Sequence, residues 1–255
     1  MIRKPLFFTT PLRGIKYHWV IYNLYYIWEN KNETKRIIEH EPKIVILDSG
    51  VNYIFGKLKL KDYPKWYLEN YTKIAEYVSR IIKQKTNAEV WVTCPDYPDD
   101  EHPGLVENNV EKTIENWIKI AKNYQPKNFK WLIVIQSRYK DLESFKYCLE
   151  KAKEIWDGYD LFGIGTVCKI KDVKLIEKFV KLARKELGKN VWLHAFGPTM
   201  KSIRYIVKYI DSFDSITIWH EALKGGYKNS KEVWDRFMKK WDKVINNRSL
   251  FEYLE

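Results

Sequence analysis

Cysteine is scarce in this chain of 255 residues: Cys94, Cys148 and Cys168 are odd in number and widely spaced. They build neither a disulfide framework nor a CxxC zinc site, and they fit a reducing compartment, with Cys148 packed on an apolar helix face. Long apolar runs are missing too. No stretch approaches the length of a membrane span, and the opening MIRKPLFFTTPLRG has no signal-peptide core, so the expectation is a cytoplasmic protein without a membrane partner. Nor does any Pro/Gly/Ser-rich linker, repeat or low-complexity tract divide the chain. Residues 1–255 therefore read as a single domain, of a size common for barrels of βα units.

Apolar and basic residues are what the chain has in quantity. Hydrophobic residues make up 45%, with 11 Trp, 18 Tyr and 11 Phe, which supplies a core and excludes a disordered class. The formal charge of +12 favours a phosphate-bearing partner, because clustered Lys and Arg release counterions on meeting a nucleic-acid backbone. The same excess also suits solvated helix faces and thermophilic composition.

Short β-rich runs alternate with segments of helical period, the pattern of successive βα units around a parallel sheet. The runs are Leu6 to Thr10, Lys43 to Asp48, Ala88 to Cys94, Lys130 to Gln136, Asp160 to Gly165, Asn190 to Gly197 and Ser215 to His220. Between them, Val106, Val110, Ile114, Trp117 and Ala121 share one helix face, as do Val173, Ile176, Val180, Ala183 and Leu187. Further helices are predicted at Pro64 to Lys83, Asp141 to Trp156, Thr199 to Tyr209 and Ser230 to Ile245. The fold class is α/β, a TIM-type (β/α)8 barrel, incomplete or with an irregular eighth strand. That strand belongs in the aromatic stretch Tyr17 to Trp28, in the C-terminal SLFEYLE, or nowhere; a doubly wound open sheet is the competing architecture.

Polar residues gather at the C-terminal ends of these runs, where parallel α/β proteins build their sites. In order they are Asp48-Ser49-Gly50, Cys94-Pro95-Asp96, Gln136-Ser137, Gly163-Ile164-Gly165 and His194 with Gly197, while Asp214 sits at the start of the seventh run, inside FDSITIW. Carboxylates meeting at one mouth acquire separated pKa values and so divide into nucleophile, acid/base and binding group. Each aspartate alone also reads as the N-cap of the following helix. His194, in the apolar run VWLHAFG, is read as a hydrogen-bonded core residue. The cluster Asp99, Asp100, Glu101 and His102 reads as a solvated loop, since neighbouring residues rarely converge on one ion; no metal and no cofactor are expected.

This order of motifs resembles the queuine/archaeosine tRNA-guanine transglycosylase superfamily, and most closely its branch that inserts 7-deazaguanines into DNA. ILDSGVNYIF looks like the family's DSGG[FY]Q motif, TCPDYPDD like its second aspartate segment, and IVIQS like its glutamine strand. FGIGTV is similar to its glycine pair, WLHAFGPT to the next strand end, and Phe213-Asp214-Ser215 to the FDC motif that carries the nucleophile. The likeness spans about Leu6 to Gly226. It implies a pentosyltransferase that exchanges guanine for a preQ0-like 7-deazaguanine through a covalent aspartyl sugar. In that scheme Asp214 is the nucleophile and Asp48 the acid/base, with Asp96, Gln136, Gly163, Gly165, Ser49 and Gly50 around the base. Arg138, Lys140, Lys169 and Lys224 are candidates for gripping phosphates, and Tyr53, Phe55, Tyr97 or Trp219 for supporting a flipped nucleotide, although packing is the commoner use of such aromatics.

The tRNA-acting members carry a Cys-x-Cys-x2-Cys…His zinc site and a TRxAR-like basic run, and here the corresponding stretch reads Trp219-His220-Glu221-Ala222-Leu223-Lys224-Gly225-Gly226. DNA is therefore the expected substrate and tRNA the alternative. A non-catalytic barrel that binds nucleic acid or a partner subunit is the third reading, and assembly as a homodimer or with such a subunit stays open.

Overall fold

The aromatic stretch after Tyr17 supplies the strand that the apolar runs leave unplaced. In a computed structural model, which describes residues 5–12, 15–99, 104–215, 217–225 and 230–246, eight strands occur: β1 (Leu6–Phe8), β2 (Trp19–Asn23), β3 (Ile44–Asp48), β4 (Glu89–Thr93), β5 (Lys130–Ile135), β6 (Leu161–Ile164), β7 (Trp192–Ala195) and β8 (Ser212–Asp214). All are parallel, in the order β1-β8-β7-β6-β5-β4-β3-β2. Thr9 closes the ring: its N–H donates to the Trp19 carbonyl at 3.3 Å, and the Ile21 N–H donates to its carbonyl at 3.1 Å. The architecture is a (β/α)8 barrel rather than an open sheet. The other stretch considered for the eighth strand, SLFEYLE, lies outside the described residues.

One strand sits elsewhere than its sequence indicates. The β-branched run Ser215 to His220 is not a strand; β8 precedes it, and Thr217–Lys224 is a helix. The physical cause is register. Leu6 and Phe8 pair with Ser212 and Asp214, the Ser215 N–H reaches the Phe8 carbonyl at 3.3 Å, and the neighbouring strand is then used up. Ile218 and Ala222, four apart and both buried, then follow the helical period.

The helices that pack outside the ring are α1 (Leu24–Glu29), α2 (Asn32–Glu39), α3 (Lys65–Lys85), α4 (Asn109–Asn116), α5 (Leu142–Ile155), α6 (Val173–Leu187), α7 (Met200–Ile206), α8 (Thr217–Lys224) and α9 (Ser230–Asn246). Helix α4 continues as a wider π turn, Trp117–Lys122, and another π turn, Asn52–Lys57, follows β3. Starts are set by side-chain caps. Asp141 accepts from the N–H groups of Glu143 and Ser144, Asp172 from Lys174 and Leu175, and Thr199 from Ser202. Helices α1, α2 and α8 are not foreseen in the sequence.

Inside the barrel Phe8, Ile21, Ile46, Trp91, Leu132 and Leu161 form a packed plug. Ile21, Ile46 and Trp91 are successive register partners on β2, β3 and β4. Among the described residues no helix is long and apolar enough to cross a membrane.

Candidate functional site

The chain after β3 turns sharply over α1. Gly50 has φ +102°, and a Cβ there would come within 2.8 Å of Tyr25 Cβ, so only glycine fits. The turn places Asp48 at the mouth and buries Ser49 beneath it. The Ser49 hydroxyl donates to Asp96 Oδ1 at 3.0 Å, and Gln136 Nε2 donates to Asp96 Oδ2 at 2.5 Å. Thr166 Oγ1 donates to Gln136 Oε1 at 3.2 Å while accepting from the Ser137 N–H at 2.8 Å. Both Asp96 oxygens are therefore engaged by protein. Neither Asp48 nor Asp96 caps a helix; the following helical turns are preceded by Val51 and Asn108.

Asp48 is held differently. Its Oδ2 accepts a long bond of 3.4 Å from the Gly50 N–H. Burial pushes its pKa up to about 8, and the neighbouring charges of Asp96 and Asp214 add to the effect. Asp96 and Asp214 are thus each within electrostatic reach of Asp48.

Asp214 ends β8 on the opposite side. Its Oδ1 accepts the Gly197 N–H at 2.9 Å and lies 3.3 Å from His194 Nε2. Gly197 has φ +62°, and a Cβ there would meet Cys168 Sγ at 2.7 Å; this turn aims the amide at the carboxylate. His194 is fully buried, and its other nitrogen, Nδ1, lies 2.8 Å from Ser212 Oγ, which also accepts the Trp192 indole N–H at 2.8 Å.

Gly163 and Gly165 line the wall between these halves. The space their missing side chains leave is filled by protein: a Cβ on Gly165 would fall 2.1 Å from Gln136 Nε2, and one on Gly163 2.5 Å from Phe196 Cε2. Around the rim, Arg138 pairs with Glu111 at 3.2 Å and Lys140 lies 5.0 Å from the Tyr139 ring. Lys169 is exposed after β6 and Lys224 is exposed at the end of α8. Phe55 and Tyr97 are buried and pack against each other and Tyr63, while Tyr53 rests against Tyr25 and Tyr26. The Trp219 side chain lies outside the described residues.

The loop after β4 corrects one expectation. Asp99 is not solvated: it is buried and accepts the N–H groups of Gly104 and Tyr139, both at 2.7 Å, clamping this loop to the one after β5. Asp100, Glu101 and His102 lie outside the described residues. Among the described residues no group of three or more His, Cys, Asp or Glu side chains could hold a metal ion. Cys148 is buried on α5 and accepts the Gln136 N–H at 3.4 Å.

Two features escape a sequence reading. The first is the ladder Tyr63, Tyr67 and Tyr71. The Tyr63 hydroxyl lies 2.9 Å from both Ser49 Oγ and the Asp96 carbonyl, Tyr67 donates to the Ser49 carbonyl at 3.0 Å, and Tyr71 donates to the Thr93 carbonyl at 2.6 Å. Burial holds all three phenols protonated, so each is a fixed donor to a strand end. Their spacing of four residues was the available signal. The second is the Trp192–Ser212–His194 chain leading to Asp214. Comparison with protein-family models and with curated proteins gives no match for this chain.

Proposed function

We propose that the barrel mouth is the active site of a nucleic-acid guanine transglycosylase, which exchanges a guanine in DNA for a preQ0-like 7-deazaguanine. One observation carries this reading: Asp48 and Asp214 share the mouth, Asp48 with its pKa pushed up to about 8 and Asp214 with its Oδ1 against two nitrogen groups. A carboxylic acid and a carboxylate facing one mouth are what a double displacement at a sugar carbon requires.

Asp214 attacks C1′ of the target nucleotide, and the C1′–N9 bond breaks with its electron pair leaving on guanine. Asp48 gives the departing base a proton. The incoming 7-deazaguanine then loses its N9 proton to the Asp48 carboxylate, and N9 attacks C1′. The C1′–O bond to Asp214 breaks and the carboxylate is restored. Two inversions give net retention, and the sugar carbon is covalently protected from water between them.

Asp96 serves as acceptor for the guanine edge at N1 and the exocyclic amine, with Gln136 swinging from Asp96 towards O6 as the base enters. The target base leaves the helix stack to reach the mouth. Arg138, Lys140 and Lys169 sit in loops that follow β5 and β6, and so on the side from which a phosphate backbone approaches.

The test is incubation with labelled 7-cyano-7-deazaguanine, or its amine, and either duplex DNA or tRNA. Label in DNA is the expected result. Label in tRNA alone reassigns the substrate, and label in neither polymer overturns the enzyme.

A further inference from the structure

The hydrogen count around Asp214 assigns a specific job to His194. An indole N–H only donates, so Trp192 uses one lone pair of Ser212 Oγ, leaving that hydroxyl one hydrogen to place. Ser212 is fully buried, and His194 Nδ1 at 2.8 Å is the acceptor in reach. If Nδ1 carried a hydrogen instead, the serine hydrogen would be stranded in the barrel. A buried polar hydrogen without an acceptor is rare because it forfeits its hydration. With Ser212 donating to Nδ1, the neutral ring carries its hydrogen on Nε2, and that N–H points at Asp214 Oδ1, 3.3 Å away. Phe8 and Phe196 fix the ring from two sides, with near-perpendicular contacts at 5.5 and 4.5 Å.

The Gly197 N–H also ends on Oδ1, at 2.9 Å. Among the described residues no donor sits on Oδ2. The carboxylate is therefore held by one oxygen and presents the other.

We propose that His194 is a positioning residue for Asp214: its Nε2–H and the Gly197 N–H fix Oδ1 and leave Oδ2 as the atom that bonds to the substrate. This rests on the transglycosylase reading for its kinetic consequence, though not for its geometry. In the aspartyl sugar, Oδ1 is the ester carbonyl oxygen. When the C1′–Oδ2 bond breaks, the electron pair returns to the carboxylate and the negative charge spreads onto Oδ1. Donors already aimed at Oδ1 stabilise that departure without rearranging, as preorganised donors do at other developing oxyanions. They therefore assist release of the covalent intermediate more than its formation.

Two measurements test it. The first needs no substrate: the 15N spectrum of histidine-labelled protein, with the His194 signals assigned by their loss in His194→Gln. The expected pattern is a protonated Nε2 and a lone-pair Nδ1, with Ser212→Ala mixing the tautomers; a protonated Nδ1 in the unaltered protein overturns the assignment. The second is trapping of the covalent adduct on a guanine-containing oligonucleotide, DNA and tRNA in parallel. In His194→Phe the adduct should form yet be released about 10- to 100-fold more slowly. His194→Gln, whose amide can still donate to Oδ1, should recover most of that loss. Equal slowing of formation and release in both variants makes His194 merely structural and overturns the proposal. No adduct in the unaltered protein overturns the transglycosylase reading instead, and the spectrum still decides whether His194 donates to Asp214.

Discussion

Asp48 and Asp214 are the same residue type, each the last of its strand, and they meet opposite surroundings. Asp48 receives a long bond from the Gly50 N–H and faces the charges of two other aspartates. Asp214 has the Gly197 N–H and the His194 ring on a single oxygen. One half of the mouth is built to keep a proton on Asp48, and the other gathers its N–H groups on a single oxygen of Asp214. The behaviour of Asp48 comes first from burial and then from the neighbouring aspartate charges, which outweigh the N–H groups it accepts from.

The sharpest way to break this contrast is to neutralise each aspartate without changing its shape. Asp214→Asn should abolish covalent adduct and base exchange, by roughly 10,000-fold or more, with the far-ultraviolet spectrum unchanged. An Asp214→Asn protein that still exchanged base would take the nucleophile away from this half. Asp48→Asn should slow exchange by about 100- to 10,000-fold and alter the pH profile as well. In the unaltered protein, exchange should fall as pH rises through about 8, where Asp48 loses the proton it gives to the leaving base.

The same shift has a consequence for stability. Between the ordinary value of 3.8 and about 8, folded Asp48 keeps a proton that the unfolded chain has released. The unfolded state binds fewer protons across that window, so stability is greatest below it and declines as pH rises through it. Asp48→Asn removes this decline. Melting temperatures should therefore favour the variant more at pH 8 than at pH 4, and a difference between variant and parent that is the same at both pH values would contradict the raised proton affinity of Asp48.

How much of this was legible in the sequence differs between the halves. The order of polar residues at strand ends singled out Asp48, Asp96 and Gln136, because parallel strands deliver their last residues to one face; Asp214 was read at the start of a strand and instead ends β8. The eighth strand was harder to place. Tyr17 to Trp28 is aromatic throughout, so the passage from β2 into α1 leaves no change of period to read. The run after Asp214 misled because β-branched residues suggest a strand, whereas the pairing partner ends at Phe8 and Ile218 and Ala222 begin a helix. His194 was read as a core residue, which it is; that its ring also reaches Asp214 depends on the pairing of β7 with β8, which sets His194 opposite Ser212. Spacing along one chain segment does not carry that information.

The wall between the halves can be perturbed next. Gly165→Ala would put a Cβ 2.1 Å from Gln136 Nε2, so the glutamine must leave Asp96 or the backbone must shift. Overpacking of this kind costs about 1–3 kcal/mol, measured as a lower denaturation midpoint. Truncating the glutamine as well should recover part of it, because Gln136→Ala removes the group that clashes. A double-mutant cycle with no coupling between the two sites would show that the glycine is needed for something other than this side chain.

The smallest expected effect sharpens the comparison most, because it asks whether the halves are held independently. Tyr67 and Tyr71 tie the ends of β3 and β4 to α3, and the described hydrogen bonds of Asp214 run instead to His194 and Gly197. Tyr67→Phe keeps the ring and removes only the hydroxyl that donates to the Ser49 carbonyl at 3.0 Å. A buried neutral hydrogen bond contributes about 0.5–1.5 kcal/mol, which a urea titration resolves. If the tyrosines serve the Asp48 half alone, the falling limb of the exchange profile near pH 8 should move while the 15N signals of His194 stay in place. A Tyr67→Phe protein in which those histidine signals shift would show that the mouth is one coupled network, and the division between an Asp48 half and an Asp214 half would then have to be given up.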